Sequence, residues 1–341
     1  MSNTPQLTLA LVGCGGIAQQ HWRGIQSHAR RIHVTAVVDA DPDRAAKMAA
    51  QTGAQPFATL EDALQRGDFD AVDIMLPHHE HERAALLAFA AGKHVALEKP
   101  MSTSIESCER ILAAARRAGT VFMVAEQAQH WPDVHMAQQV IREGRIGEII
   151  TARAAYSHTM ALTPVPAGPK PWRYHLALAG GGISIDGGSH WLRPLRIWLG
   201  EVDEVVAALG HPVAAMEGES LARALLRFRS GVVANFDAIR AGAVHGAGDE
   251  FRITGTLGEI VVERRGQGRL LVYDAANPQG EALLSKDDGR RDAFGLELRD
   301  FECAVLDGAP LAASPEYSLG ELRTALAMYR SAETKRWERV W

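Results

Sequence analysis

The run Gly13-Cys14-Gly15-Gly16-Ile17-Ala18 is the first place in this chain where residue types and spacing imply chemistry. It has the form G-x-G-x-x-G/A. The first glycine permits a tight turn, the second lets backbone approach a pyrophosphate, and the small Ala18 lets a helix pack closely on a strand. A turn of this kind opens a helix whose free N–H groups and dipole favour an anion. Asp39 ends the next β-branched run, 21 residues after Ala18, where a carboxylate would accept the hydroxyls of an adenosine ribose. The same carboxylate would repel a 2′-phosphate by roughly a few kcal/mol at an effective dielectric of about 20, so NAD is the expected cofactor and NADP the disfavoured one. Arg44 is the nearby cation able to soften that repulsion.

A second group reads as proton-transfer chemistry. Oxidising a secondary alcohol requires removal of the hydroxyl proton as hydride leaves, and histidine has a suitable pKa. His190 lies four residues after Asp186, a spacing that puts both on one face of a helical turn. The carboxylate could then orient the imidazole, although an Asp and a His so spaced also form ordinary surface pairs. Lys99, within Glu98-Lys99-Pro100, offers a positive charge to a developing alkoxide, or a base if burial lowers its pKa.

Weaker signals surround these. His78, His79 and His81 share one loop and could share a transition metal. Their place at the carboxyl end of a strand argues instead for the edge of a cofactor, with Leu76 and Pro77 beside them, and no metal is expected. Trp172 could stack on a sugar ring and Arg173 could fork onto hydroxyls or a carboxylate, or the two could be a packed Trp and a surface Arg. Tyr156 and His158, on the run before them, are lesser candidates. Glu126 and Gln127 stand where the first domain ends, as hinge or site residues.

The elements that must position these groups change character along the chain. Leu7 to Val12, His33 to Asp39, Ala71 to Leu76, His94 to Leu97 and Val121 to Ala125 read as strands. Helical patterns lie between them at Ile17 to Ala29, from Asp41-Pro42, Glu80 to Ala91 and Ser104 to Ala118, the last two stopped by Gly92 and Gly119. Alternation of this kind predicts a doubly wound parallel sheet, a Rossmann domain over residues 1–126. From 127 to 341 short strand patterns follow one another: Ile149 to Tyr156, Glu204 to Leu209, Ala222 to Phe228, Val232 to Phe236, Phe251 to Thr254 and Glu259 to Val262. Helices return at Leu296 to Leu306 and Leu319 to Ala332. The prediction is an α+β domain with a large open, mostly antiparallel sheet that binds substrate and buries an apolar face in a homodimer or homotetramer. Pro164 to Pro171, with four prolines, reads as a loop or lid.

Composition limits the function classes. The chain has 341 residues, 36 Lys and Arg, and 41 Asp and Glu. Without a basic block it is a poor nucleic-acid partner. Its longest apolar stretch, near Ala84 to Ala91, is too short to span a bilayer. Cys14, Cys108 and Cys303 show no paired spacing, and no basic residue precedes Arg23, so a cytoplasmic protein is expected.

Taken with the glycine loop, the segments Pro77 to His81, Gly92 to Pro100 and Gly180-Gly181-Gly182 leading to Asp186-Gly187-Gly188-Ser189-His190 resemble the Gfo/Idh/MocA family over nearly the whole chain. The resemblance implies hydride transfer between nicotinamide and a carbinol carbon of a sugar, cyclitol or related polyhydroxylated molecule. It implies Lys99, Asp186 and His190 as the catalytic group. It also places His78 at the cofactor edge, His81 in a structural or cofactor-proximal role, and Glu126 near nicotinamide or substrate. Arg193 departs from the pattern, since relatives frequently carry an acid in that region. Within enzymes the rivals are a dihydrodiol dehydrogenase and an NAD-dependent glycoside-cleaving enzyme. The rival from another class is a non-catalytic dinucleotide sensor.

Asp39 generates a direct test. NAD(H) should bind at least about tenfold more tightly than NADP(H), and Asp39→Ser should narrow the gap. Isothermal titration with both cofactors measures it; equal affinities would refute the assignment.

Overall fold

A computed structural model describes residues 5–159, 171–242, 249–263, 269–284 and 290–341. The proline-rich run, apart from Pro171, lies outside the described residues. In chain order the first elements are β1 (Leu7–Val12), α1 (Gly16–Ser27), β2 (Ile32–Val38), α2 (Pro42–Thr52), β3 (Gln55–Phe57), α3 (Leu60–Arg66), β4 (Ala71–Ile74), α4 (His81–Ala90), β5 (His94–Glu98), α5 (Ile105–Ala118) and β6 (Phe122–Ala125). Then come α6 (Pro132–Arg142), β7 (Ile149–Thr159), α7 (Leu176–Ala179), α8 (Ser189–Leu199), β8 (Val202–Gly210), β9 (Leu221–Phe228), β10 (Val233–Ala241), β11 (Asp249–Gly255), β12 (Gly258–Glu263), β13 (Leu270–Asp274) and β14 (Glu281–Leu284). The chain closes with α9 (Ala293–Asp307), α10 (Leu319–Thr334) and β15 (Glu338–Arg339). None of the described helices is long and apolar enough to cross a membrane.

Two compact units result. One comprises residues 1–127 with 291–319; the other comprises 128–290 with 320–341. In the first, six parallel strands run in the order β3-β2-β1-β4-β5-β6. That is the dinucleotide-binding order, with its topological switch between β1 and β4, so the loops after those two strands flank the ligand crevice. Local chemistry sets the helix ends. Asp41 caps α2 by accepting from the N–H groups of Asp43 and Arg44, with Pro42 in the first turn. Ser104 caps α5 through the Ser107 N–H, and Gly119 ends it in the left-handed conformation. α9 returns to this unit and lies on α1. A Cβ on Gly24 would come 2.7 Å from the Gly295 Cα, so only glycines allow that approach.

The second unit holds nine strands in the order β14-β13-β12-β11-β7-β10-β9-β8-β15. β7 and β10 pair in parallel and the other pairs are antiparallel, so the sheet is mixed but mostly antiparallel. Its inner face is apolar: Ala152, Ala154, Ala222, Ala224, Leu226, Phe228, Ala234, Phe236 and Ala238 are buried. The outer face differs from the apolar face expected. It carries ion pairs across strands, Arg153–Asp237, Arg223–Asp237, Arg227–Glu204 and Arg252–Glu259, with Leu225 and Ile150 exposed among them. Period-two alternation in β9 and β10 puts the charges outside, which runs rich in Val, Ile and Phe concealed.

An ionic cluster sits inside the first unit. His21 of α1 is fully buried, with Nδ1 2.7 Å from Asp73 Oδ2 on β4 and Nε2 3.1 Å from Glu98 Oε1 on β5. Glu297 of α9, also buried, brings Oε1 to 3.6 Å from the same Nε2. The three donor atoms of His21, Glu98 and Glu297 lie within 4.8 Å of one another. Because both ring nitrogens face carboxylate oxygens, the ring is a doubly protonated imidazolium. Burial opposes that charge, but Asp73, Glu98 and Glu297 outweigh it and hold the His21 pKa well above the ordinary value. Neither oxygen of Glu297 has a hydrogen-bond partner among the described residues. Burial, then the negative charges of Glu98, Glu126 and Asp73, push its pKa well up against the pull of His21, so Glu297 holds its proton.

Both shifts are upward, and their linkage has one sign. Stability from His21 is complete below its unfolded value of 6.5 and is lost as pH rises through its higher folded value. Glu297 behaves alike from its unfolded value of 4.5 upward. Glu297→Gln replaces a protonated acid by a neutral amide and removes that second loss. Urea unfolding should show the variant gaining at least about 1 kcal/mol on the wild type between pH 5 and pH 8. A variant whose stability relative to the wild type does not rise over that window would contradict the protonated state, since the loss from His21 is common to both proteins.

Candidate active site

The first unit forms the dinucleotide end. Gly13 has φ +95, and a Cβ there would come 2.6 Å from the Met75 carbonyl oxygen, so the turn after β1 admits only glycine. Built on Gly15 or Gly16, a Cβ would meet nothing within 4 Å, which leaves open space above the loop. α1 begins at Gly16 with Gly15 at its cap, no side chain bonded to its first N–H groups and no acid in its first turn. Ile17 is half-buried and Ala18 fully buried against the sheet. Uncapped donors under open space fit a pyrophosphate.

Asp39 lies beside this loop. Its Oδ2 accepts the Cys14 N–H at 2.8 Å and its Oδ1 the Asp41 N–H at 2.9 Å, so the carboxylate is held at the end of β2. Arg44 is turned to Asp41 at 3.2 Å and is largely exposed. Cys14 supplies no nucleophile, since burial and then the Asp39 charge push its thiol up to about 12.

The loop after β4 is tied to the loop after β5. His81 is fully buried, Nε2 2.9 Å from the Leu76 oxygen and Nδ1 2.9 Å from the Pro100 oxygen. Burial, aided by the Lys99 charge, holds His81 below the ordinary histidine range. His78 is buried with its ring 5.7 Å from His81, while His79 is exposed and near Glu80. Leu76 and Pro77 are half-buried. The histidines therefore divide: His81 straps two loops together, and His78 packs on it. Lys99 is half-buried, its N–H donating to the Ala125 oxygen at 3.2 Å. Glu98, just before it, turns inward to His21. Glu126 is buried immediately after β6.

The second unit presents the other candidates. Asp186 lies in the turn before α8 and His190 in the first turn of that helix; both are half-buried. Glu219 holds the approach to this turn. It accepts the N–H groups of Gly182 and Ser184 at 2.9 and 2.8 Å and the Tyr329 hydroxyl at 3.1 Å. A Cβ on Gly182 would come 2.0 Å from the Glu219 oxygen, and one on Gly187 2.5 Å from the Tyr156 hydroxyl. The glycines of this segment therefore let it lie flat on Glu219 and Tyr156. Tyr156 is 6% exposed, with its ring 4.4 Å from that of Trp191, so it underlies the turn. His158 lies next to it, ring centroids 6.3 Å apart. Arg173 donates from Nε to Asp186 Oδ2 at 3.2 Å and stacks on Trp172 at 4.2 Å. Arg193 is buried, with Nε 2.7 Å from Glu321 and Nη1 3.1 Å from Gln129, and serves packing.

Sequence reasoning missed His21, Asp73, Glu297, Glu219 and Arg240. One signal was available: Asp73 is an acid inside an otherwise apolar parallel strand, which demands a buried partner. Glu219 and Arg240 carried no local pattern.

Residues 7–126 match an oxidoreductase family with an NAD-binding Rossmann fold, GFO/IDH/MocA, and residues 134–261 match the GFO/IDH/MocA C-terminal domain. The chain is 28% identical over 330 residues to a 1,5-anhydro-D-fructose reductase of Ensifer adhaerens, covering 95% of this chain and 96% of that protein. It is 28% identical over 314 residues to a dTDP-3,4-didehydro-2,6-dideoxy-alpha-D-glucose 3-reductase of Actinomadura kijaniata, with 90% of each covered. A levoglucosan dehydrogenase solved with NADH and levoglucosan superimposes with a TM-score of 0.86 at 26% identity, over 98% of this chain and 99% of that one. With its glycine loop, its strand order and both domains matched, this chain belongs to the GFO/IDH/MocA family of NAD-dependent oxidoreductases.

Proposed function

We propose that the protein is a dehydrogenase or reductase that interconverts a secondary alcohol and a ketone on a sugar, cyclitol or related polyhydroxylated molecule. Lys99, Asp186 and His190 form its catalytic group. The observation that carries this reading is the uncapped start of α1 beneath Gly15 and Gly16, with Asp39 held beside it. The cyclic sugars in the names of the relatives support the substrate class. Bound NAD supplies the hydride acceptor. The chain's own groups then handle charge and protons: His190 takes the hydroxyl proton, and the Lys99 ammonium steadies the oxygen as negative charge grows on it. Asp186, pinned by Arg173, orients the base. The work is cytosolic, in keeping with three cysteines that are not joined in disulfides. The working form is a homodimer or homotetramer, to be checked by light scattering against the 36.9 kDa chain mass.

The test is kinetic. His190→Ala and Lys99→Ala should each lower kcat by at least about a hundredfold, while NADH affinity changes by less than about fivefold. Asp186→Asn should be milder than loss of the imidazole. The two alanine losses should not add, because both groups serve one step. Stopped-flow turnover and fluorescence titration of NADH measure the two quantities. Full activity in all three variants would place the chemistry elsewhere.

A further inference from the structure

The ionic balance around Asp186 is incomplete. Arg240, at the end of β10, pairs in register with His158 of β7 and continues the inner-face row of Phe236 and Ala238. Its side chain is 13% exposed, and its Nη2 lies 3.8 Å from Asp186 Oδ2, too far for a hydrogen bond. Its Nε is buried and has no hydrogen-bond partner among the described residues. Arg173 reaches the same carboxylate oxygen at 3.2 Å. Two guanidinium groups therefore converge on one carboxylate.

Three other acids of this unit, among the described residues, are committed elsewhere. Asp237 faces outward to Arg153 and Arg223. Glu217 is taken by His175 and the Leu176 N–H, and Glu219 by Gly182, Ser184 and Tyr329. A largely buried guanidinium with open N–H groups and a net charge of one sign is costly unless an anion completes it.

We propose that Arg240, with Arg173, forms a subsite for a carboxylate of the substrate, so that the molecule acted on is a sugar acid or carboxylated cyclitol rather than a neutral polyol. This rests on the reading of Asp186 as part of the catalytic group. Because Arg240 lies within 4 Å of Asp186, the carboxylate belongs on the ring or chain that carries the reacting carbinol, not on a remote nucleotide tail. Arginine suits the task, since its planar fork matches a carboxylate with two parallel hydrogen bonds.

Matched probes separate this from the dehydrogenase reading. The NADH-bound protein is titrated calorimetrically with acid and neutral partners: D-glucuronate against D-glucose, D-galacturonate against D-galactose, and quinate against myo-inositol. In at least one pair the acid should bind at least about tenfold tighter. Arg240→Gln should shrink that ratio to about threefold or less, and Arg240→Lys, which keeps the charge, should retain most of it. Melting temperature and NADH affinity of both variants report whether the fold survives. No acid preference in any pair, or a preference that Arg240→Gln leaves intact, overturns the subsite. NAD reduction is followed in parallel. Acids that bind without turnover would fault the catalytic reading and leave the subsite standing. Turnover of neutral polyols with no acid preference would fault the subsite alone.

Discussion

Four ionisable side chains share the interior of the dinucleotide-binding unit, and their mutual pairing constrains much of what surrounds them. His21, Asp73, Glu98 and Glu297 come from α1, β4, β5 and α9, so one knot joins two central strands to the helix that follows the glycine loop and to the helix that returns from the far end of the chain. Burying a lone charge is expensive, and removing one member of a buried pair typically costs about 3–5 kcal/mol because the partner is left uncompensated. The knot holds because a proton on Glu297 lowers the count of negative charges and the imidazolium bridges the two carboxylates that remain, Asp73 and Glu98. Glu98 is its outermost member, and Lys99 follows directly. The position at which Lys99 leaves the sheet is thus set from inside the domain.

The other unit solves a similar problem with hydrogen bonds. The turn bearing Asp186 has little regular structure of its own. Glu219 gathers its backbone N–H groups, Tyr329 supports Glu219, and the close approach of Gly182 and Gly187 leaves no room for side chains between. Burial pushes the Glu219 pKa up against those hydrogen bonds. In both units a buried carboxylate lies next to a residue proposed for the catalytic group, and a charged or phenolic side chain holds that carboxylate. Rigid placement of this kind suits a reaction whose rate depends on a few tenths of an ångström.

Much of this was legible in the residues. The strand and helix runs of the first unit follow hydrophobic period and end signals, and Ser104, Asp41 and Gly119 cap where their chemistry says they should. The glycine loop and Asp39 could be read because backbone geometry and charge act locally. Short elements such as β3 and α3 escaped, as did α6, because three to eleven residues carry too little periodicity to separate from loops. Long-range pairings escaped for a different reason. Nothing local links His21 to Glu297, Gly182 to Glu219 or Asp186 to Arg240; the fold alone brings them together. Hydrophobic content alone hides the charged outer face of the large sheet, because Arg153, Arg223 and Asp237 sit on the exposed phase of strands whose other phase is apolar.

The reaction proposed for this protein is hydride transfer to or from a carbon of a polyhydroxylated substrate. It is tested most directly by supplying NADH with deuterium at the transferable position of the nicotinamide, together with keto forms of sugars, sugar acids and cyclitols. Mass spectrometry then reads the alcohols produced. At least one product should carry a single deuterium on its new carbinol carbon. Retention of all deuterium in the dinucleotide with every ketone offered, while NADH still binds, would contradict it and leave a protein that senses the cofactor without using it.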